Sequence, residues 1–321
     1  MVGGEMRCIY LYIVLLFTIS VVSTAGAQSG PDKDSTRDAD LKAFVETIKA
    51  EGLEPVEFVL QSLDTHDLLI FDDAVHNAVE PFEFYMKLVR LPAFREKVGY
   101  IFLELAPVNR QPCLDAYFEA QVEDPSLLYP VFQDVADLGM AYETYFALLR
   151  TIYEVNEDLP ENERLHVVAV SQPASWKEIE TQRDLEIYRK NYLYRDYLMY
   201  KFILAGLDGF ASGRKGVFLT NTRHAYNGIR KSDGSLYWNT ATFFRQWHPG
   251  KTMSVRFHSV SLYFGENGDI RWVRMGDGIW DCAFSETGDA PVALTLAGNP
   301  FGRHAYIGNH MLNVEALSLI H

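Results

Sequence analysis

The chain has few cysteines and none at metal-binding spacing. Three cysteines occur in 321 residues, without a Cys-x-x-Cys motif or a His/Cys cluster. A structural zinc site is therefore not expected. Cys113 and Cys282 either pair in an oxidising compartment or remain free buried thiols.

Positive charge is scarce as well. The sequence has 29 Lys and Arg residues against 43 Asp and Glu, a net charge of -14. A chain so acidic repels phosphate backbones and anionic lipid, so we expect no nucleic-acid partner. At 48% hydrophobic and 13% aromatic, it can nevertheless fill a sizeable core and is not expected to be disordered.

The N-terminal apolar run is short for a membrane span. CIYLYIVLLFTISVV has 15 residues, follows Arg7, and precedes the small-residue pattern Ala25-Gly26-Ala27. These features predict a signal peptide over residues 1–27, a disordered polar linker over 28–40 and a single α/β domain over 41–321. We expect an exported protein, periplasmic or secreted, with no stable membrane span after cleavage. The alternative is an uncleaved N-terminal anchor.

Four short apolar runs, each ending in polar residues, predict strands covered on both faces and hence a parallel sheet. They occupy residues 67–76, 98–107, 165–173 and 215–224. Helical patterns connect them, including one long helix predicted over residues 176–207. In the last third, residues 254–277 have strand composition around a glycine-containing turn. The predicted class is α/β, a mostly parallel central sheet flanked by helices, with an antiparallel hairpin addition near the C-terminus.

Polar residues cluster where the predicted strands end. They are Asp72, Asp73 and His76 on the first strand, Glu104 on the second, Ser171 and Gln172 on the third, and Asn221, Arg223 and His224 on the fourth. Because ligands bind beyond the carboxyl ends of parallel strands, we expect these side chains to meet at one rim.

Two kinds of chemistry suit this set of residues. A histidine held by a carboxylate is a general base near neutral pH. The same imidazoles and carboxylates could instead hold a divalent metal that acidifies bound water. No Gly-x-Ser-x-Gly elbow is present, which argues against a serine hydrolase. Asp72 is expected to be solvated or to cap the next helix. Glu104 lies inside an apolar strand, where burial favours a networked or functional carboxylate.

The order of these motifs resembles the erythromycin esterase, ChaN and Tiki superfamily. The similarity spans roughly residues 66–226. The motifs are Asp72-Asp73-Ala74-Val75-His76 in place of Gly-Glu-x-x-His, Glu104 on the next strand, Arg195-Asp196-Tyr197-Leu198-Met199 on a helix, and His224 after a strand.

The resemblance implies a hydrolase in which water attacks an ester or amide-type bond of a small-molecule or peptide substrate, and the predicted signal peptide implies that it is exported. His76 would be the base that activates water and Asp73 the acid that orients it. Glu104 would complete the network, and His224 would stabilise the transition state or protonate the leaving group. Arg195 and Asp196 would either bind the substrate or brace the sheet through an internal ion pair.

The sequence also departs from the family pattern. Asp72 replaces a glycine, and Asp73 is one methylene shorter than the family's glutamate, which puts its hydrogen bond in question. The alternatives are a ChaN-like protein that binds haem or a metal without catalysis, a Tiki-like metal-dependent peptidase, or an inactive member. Tyr194, Tyr197 and Tyr200 share a helix face and either line a pocket or pack in the core. Cofactor and oligomeric state stay open.

Overall fold

The computed structural model of this chain describes residues 33–73, 76–134, 140, 142–229, 234–264, 270–303, 307–308, 311–312 and 318–320. The predicted signal peptide lies outside these ranges. Within them, none of the helices has the length and apolar character needed to cross a membrane.

Helices and strands alternate through the described chain, as the apolar periodicity predicted. The helices are α1 Lys33–Glu51, α2 Pro55–Thr65, α3 Val79–Arg90, α4 Pro92–Arg95, α5 Gln111–Glu119, α6 Tyr129–Gln133, α7 Glu143–Glu157, α8 Gln182–Tyr192, α9 Arg195–Gly206, α10 Thr222–Ala225, α11 Thr240–Trp247, α12 Ile279–Glu286 and α13 Pro300–Arg303. The strands are β1 Leu68–Asp72, β2 Val98–Pro107, β3 His166–Ser171, β4 Lys215–Thr220, β5 Thr252–Phe257, β6 Val260–Phe264, β7 Ile270–Arg274, β8 Ala293–Thr295, β9 Ile307–Gly308, β10 Met311–Leu312 and β11 Ser318–Ile320.

The main sheet has seven strands in the order β3-β2-β4-β1-β5-β11-β8. Every pairing in it is parallel except the one between β11 and β8. The predicted α/β class with a mostly parallel sheet is therefore confirmed. Because β1, β2, β3 and β4 run in the same direction, the polar residues that follow them lie along one edge of the sheet.

Apolar side chains cover both faces of this sheet, which explains why its strands are hydrophobic throughout. On one face, Leu69, Leu103 and Leu219 belong to a cluster with α2, α3, α5 and α7. On the other, Ile70 and Phe102 pack with residues of α9 and α11. A third cluster joins α1 to α12 and α13.

The predicted linker is wrong where helix α1 replaces it. The helix begins at Lys33, so residues 33–40 are helical instead of disordered. The helix breakers Gly30 and Pro31 precede this point, and no glycine or proline occurs between Lys33 and Glu51. Polar composition alone therefore did not indicate a linker.

Two other elements differ in detail from the sequence patterns. The predicted hairpin forms from β6 and β7, which pair with each other in a separate two-stranded sheet, while the segment before them supplies β5 of the main sheet. Its turn, residues 265–269, lies outside the described part of the chain. The long helix predicted over residues 176–207 is divided into α8 and α9, with a turn at residues 193–194.

A bulge in β2 changes the strand geometry at Glu104. Leu103 is paired with Ala169 of β3, yet Pro107 is paired with Ser171, so four steps along β2 match two along β3. Bulges redirect side chains and are common beside active sites. Glu104 lies within this irregular stretch and is only 1% exposed.

Candidate functional site

A buried carboxylate orients the first histidine. Asp73 follows β1, and its Oδ2 lies 2.7 Å from Nδ1 of His76. The hydroxyl of Tyr145, from α7, donates to the same oxygen at 2.9 Å. Asp73 is fully buried, whereas the His76 side chain is 15% exposed. Nδ1 is thereby committed to the carboxylate, which directs the Nε2 edge of the ring away from Asp73.

The shorter side chain of Asp73 thus reaches its histidine. The second carboxylate oxygen, Oδ1, is buried and accepts no hydrogen bond from the described residues. Since buried polar atoms are normally satisfied, this oxygen has capacity for a water or a substrate donor.

Glu104 is the centre of a second group, assembled from three elements. Its Oε1 lies 2.8 Å from Nη2 of Arg195 and 3.3 Å from Nε2 of His224. Its Oε2 accepts from Thr220 Oγ1 at 2.5 Å and from the backbone N–H of Asn221 at 2.7 Å. A carboxylate with so many donors remains ionised even when it is buried.

Asp196 holds the other side of His224. Its Oδ1 lies 2.8 Å from Nδ1 of that imidazole. The same oxygen accepts from the backbone N–H of Thr240 at 2.8 Å and from its hydroxyl at 2.9 Å. Thr240 is the first residue of α11, so the N-terminus of that helix fixes Asp196.

These contacts make His224 a cation. Burial by itself would lower its pKa, but the carboxylates of Asp196 and Glu104 outweigh this effect and raise the pKa to about 9. With Arg195 added, two positive and two negative charges balance only when the imidazole is protonated. In that state Nε2–H donates to Glu104, and the 3.2 Å approach of Arg195 Nη1 to Nε2 is a contact between two donors.

The carboxylates respond in the opposite direction. Burial acts to raise the pKa of Glu104, but His224 and Arg195 hold it well below the usual range for glutamate. Burial likewise opposes ionisation of Asp196, and the neighbouring His224 lowers its pKa overall. Both side chains are therefore anions at neutral pH.

His76 is electrostatically coupled to the same group. Burial would lower its pKa, but the charge and hydrogen bond of Asp73 raise it, with a further contribution from Glu104. Glu104 therefore acts on both imidazoles, directly on His224 and through space on His76. The structure thus brings two histidines with different surroundings to one end of the sheet.

The six residues selected from sequence accordingly fall into two linked groups at the carboxyl edge. They are Asp73 with His76, and Glu104 with Arg195, Asp196 and His224. The ion pair expected at Arg195-Asp196 takes another form, because Arg195 pairs with Glu104 and Asp196 with His224. Their functional roles remain predictions.

Asp72 does not have the role expected for it. It is neither solvated nor a helix cap, but is completely buried and accepts a hydrogen bond from the hydroxyl of Tyr226. As the last residue of β1 it points to the opposite face from Asp73, because successive strand residues alternate. Asp72 therefore belongs to the core beneath the site.

Sequence reasoning missed three residues that hold the site in place. Tyr145 gave no signal, because a tyrosine in an amphipathic helix resembles core packing. Thr240 lies far from any predicted strand end. Thr220, in contrast, is the last residue of β4, so the rule that selected strand-end polar residues applied to it as well.

The tyrosine face of α9 is divided between core and surface. Tyr200 is 4% exposed and its hydroxyl lies 2.8 Å from His248 Nε2, as core packing requires. Tyr197 and Tyr194 are 40% and 64% exposed. Tyr197 packs beside Trp247 of α11, which is itself half exposed.

The sequence left open both a bound divalent metal and a disulfide between Cys113 and Cys282. Over the described ranges, no three His, Cys, Asp or Glu side chains are grouped so as to hold a metal ion. Cys113 and Cys282 are free thiols, and Cys282 is exposed, not buried.

The fold and the site together define an α/β protein with a histidine–carboxylate network at the carboxyl edge of its sheet. No protein-family model matches the chain, and no curated protein matches it. Several solved structures do match it along most of its length.

A succinoglycan biosynthesis protein is 8% identical, with 90% of this chain and 97% of that one aligned and a TM-score of 0.63. A protein from Bacillus cereus is 9% identical over 87% and 96% of the two chains, with a TM-score of 0.58. An erythromycin esterase, solved as a histidine-to-asparagine mutant in its open conformation, is 11% identical over 82% and 92%, with a TM-score of 0.56. At these identities the similarity shows the fold, and the chain has the erythromycin-esterase-like fold that its motifs implied.

Proposed function

We propose that this chain is an exported hydrolase in which His76 activates water for attack on an ester or amide-type carbonyl. The observation that carries the proposal is the 2.7 Å contact between His76 Nδ1 and Asp73, which commits one ring nitrogen and leaves Nε2 on the edge of the ring away from that carboxylate. An imidazole held in this way is a general base with a defined tautomer.

The reaction assigns opposite protonation states to the two histidines. Nε2 of neutral His76 takes a proton from water as the water oxygen bonds to the carbonyl carbon. The positive charges of His224 and Arg195 stabilise the oxyanion that forms. When the oxyanion collapses, the bond from carbon to the leaving oxygen or nitrogen breaks, and the leaving group takes the proton from His76 or His224.

The shifted pKa values limit the pH range in which this division of labour operates. His224 has a pKa of about 9 and is a cation at neutral pH. Asp73 raises the pKa of His76, which must lose its proton to act as a base. Both pKa values are raised, so this division of labour requires a pH above the raised pKa of His76 and below that of His224.

The direct test is turnover of a panel of esters and amides by the purified protein and by His76→Ala. We expect the variant to lose about 100-fold to 10,000-fold in kcat/KM, the usual contribution of a general base. His66→Ala is the matched control, because His66 lies at the other end of β1, where its ring contacts Ser62 and Thr65. Turnover that survives in His76→Ala, with circular dichroism unchanged, would remove the mechanism.

The pH dependence provides a second test. Activity should rise as pH increases through the raised pKa of His76 and fall again near pH 9 as His224 loses its charge. In Asp196→Asn the upper limit should move to lower pH, because the carboxylate that does most to raise the pKa of His224 is gone. A profile whose upper limit is the same in both proteins would contradict the role of His224.

A further inference from the structure

The loop that follows β3 contains an unusual concentration of unsatisfied polar atoms. Gln172 is 3% exposed, and neither its amide oxygen nor its amide nitrogen has a hydrogen-bond partner among the described residues. Ser175 Oγ and Trp176 Nε1 are likewise buried and unpaired within that part of the chain. Four such atoms within five consecutive residues are exceptional, since most buried side-chain polar atoms have a partner.

These atoms form a mixed set of donors and acceptors. The amide of Gln172 both donates and accepts, Ser175 does the same through its hydroxyl, and the indole of Trp176 donates. Such a set matches hydroxyl groups, each of which also donates and accepts. It does not match an apolar ligand, which would leave every one of these atoms unpaired.

The loop adjoins the proposed catalytic group. Ser171, immediately before Gln172, accepts a hydrogen bond from Nε of Arg195 at 3.2 Å. Further along, the backbone N–H of Trp176 donates to Asp134 Oδ1 at 3.3 Å. The residue two before Asp134, Phe132, packs against the ring of Tyr145, which holds Asp73.

The charges around the loop are already paired. Asp134 is bound by the guanidinium of Arg110, with Nε at 2.7 Å from Oδ2. Arg195 is paired with Glu104. The ionised side chains whose described hydrogen bonds reach this loop and the residue before it, Asp134 and Arg195, thus each have a partner of opposite charge, and the unpaired atoms of the loop itself are uncharged. A neutral partner suits these surroundings better.

We propose that residues 172–176 form a subsite for a neutral, hydroxyl-bearing part of the substrate, such as a polyol or a sugar. This inference rests on the proposed hydrolase activity and specifies the substrate class as esters or amides of such compounds. Fixed water molecules that satisfy the same atoms are the competing explanation.

The kinetic test compares two acetate esters, glycerol monoacetate and ethyl acetate, in Gln172→Leu and in the unmodified protein. Leucine keeps most of the bulk of glutamine and removes its amide. We expect KM for the glycerol ester to rise about 10-fold, the loss of roughly one hydrogen-bonded pair, with KM and kcat for ethyl acetate unchanged. Gln61→Leu, at an exposed glutamine of α2, is the matched control. Equal effects on both esters would overturn the subsite.

The stability of Gln172→Leu separates a ligand site from fixed water. If the amide serves a ligand, its loss leaves the urea midpoint of the free protein unchanged or higher, because an unpaired buried group has been removed. If bound water uses the amide to join parts of the fold, the midpoint falls. A lower midpoint together with unchanged KM values would refute the proposal.

A binding measurement is independent of turnover. The indole ¹H–¹⁵N signal of Trp176, assigned with Trp176→Phe, is followed by NMR during titration with glycerol, methyl glucoside, sodium acetate and sodium phosphate. We expect shifts with the first two and none with the salts. Shifts without any esterase activity would retain the subsite and reject the hydrolase, whereas an indole signal that none of the neutral compounds moves would reject the subsite.

Discussion

Replacement of His224 with asparagine removes a titrating group whose charge the fold maintains, and its effect on stability can be worked out in advance. In the folded protein the pKa of His224 is about 9, against 6.5 for an ordinary histidine. Each pH unit between these values corresponds to roughly 1.4 kcal/mol. The protonated imidazole, 5% exposed and held by Asp196 and Glu104, therefore contributes on the order of 3 kcal/mol to folding.

The sign follows from the direction of the pKa change. Because the folded pKa is the higher one, this stabilisation is fully present below pH 6.5 and disappears as pH rises through about 9. The free energy of unfolding of the unmodified protein, minus that of His224→Asn, should thus fall by about 3 kcal/mol between roughly pH 6 and pH 10. Urea unfolding followed by tryptophan fluorescence measures both values.

His248 provides a control of opposite sign. Burial lowers the pKa of His248, so this histidine is neutral at and above neutral pH. The free energy of unfolding of the unmodified protein, minus that of His248→Asn, should therefore not fall as the pH rises above neutral. A difference for His224→Asn that stays flat with pH would refute the charge balance. If the variant does not fold, titration of the His224 ring protons by NMR in the unmodified protein measures the same pKa directly, and a value near 6.5 contradicts the charge balance.

Three other predictions concern the surroundings of the site. Tyr145→Phe removes a hydrogen-bond donor to Asp73 and should move the lower limit of the pH–activity profile to higher pH, because a carboxylate with fewer donors holds the His76 proton more tightly. Tyr153→Phe is the control: the Tyr153 hydroxyl contacts the carbonyl of Ala120, so its loss should leave the profile unchanged. Leu103→Ala, at a completely buried position of β2, should cost about 2–5 kcal/mol in urea unfolding, whereas Val122→Ala, at a 79% exposed position, should cost almost nothing. Arg195→Lys should reduce kcat/KM in steady-state kinetics, because an ammonium cannot contact Ser171 and Glu104 together as the guanidinium does. An unaltered kcat/KM would show that Arg195 only fills space.

Much of the architecture could be predicted because the main strands are buried on both faces. Apolar runs such as LLIF and YIFL predict strands of a parallel sheet, and parallel strands bring their carboxyl ends to one edge. The motif order and this rule together selected Asp73, His76, Glu104 and His224, and the structure places them in two linked groups there. Hydrophobic periodicity predicts these features because it indicates which side chains are buried.

Other features depend on contacts between distant parts of the chain. The opposite fates of Asp72 and Asp73 follow from strand alternation, which aims one at Tyr226 and the other at Tyr145. The break between α8 and α9 and the bulge at Glu104 occur in segments whose local composition continues a helix or a strand. Local composition alone does not indicate where these elements are interrupted.

The amino-acid sequence by itself determined the class of fold, the direction of its main strands and the edge at which polar side chains gather, since hydrophobic periodicity is a local property. Only the tertiary structure decided which carboxylate holds which histidine. The charge of an imidazole depends on groups within a few Å of it. Asp196 and Glu104, which set that of His224, come from α9 and β2, and Thr240 of α11 holds Asp196 in place.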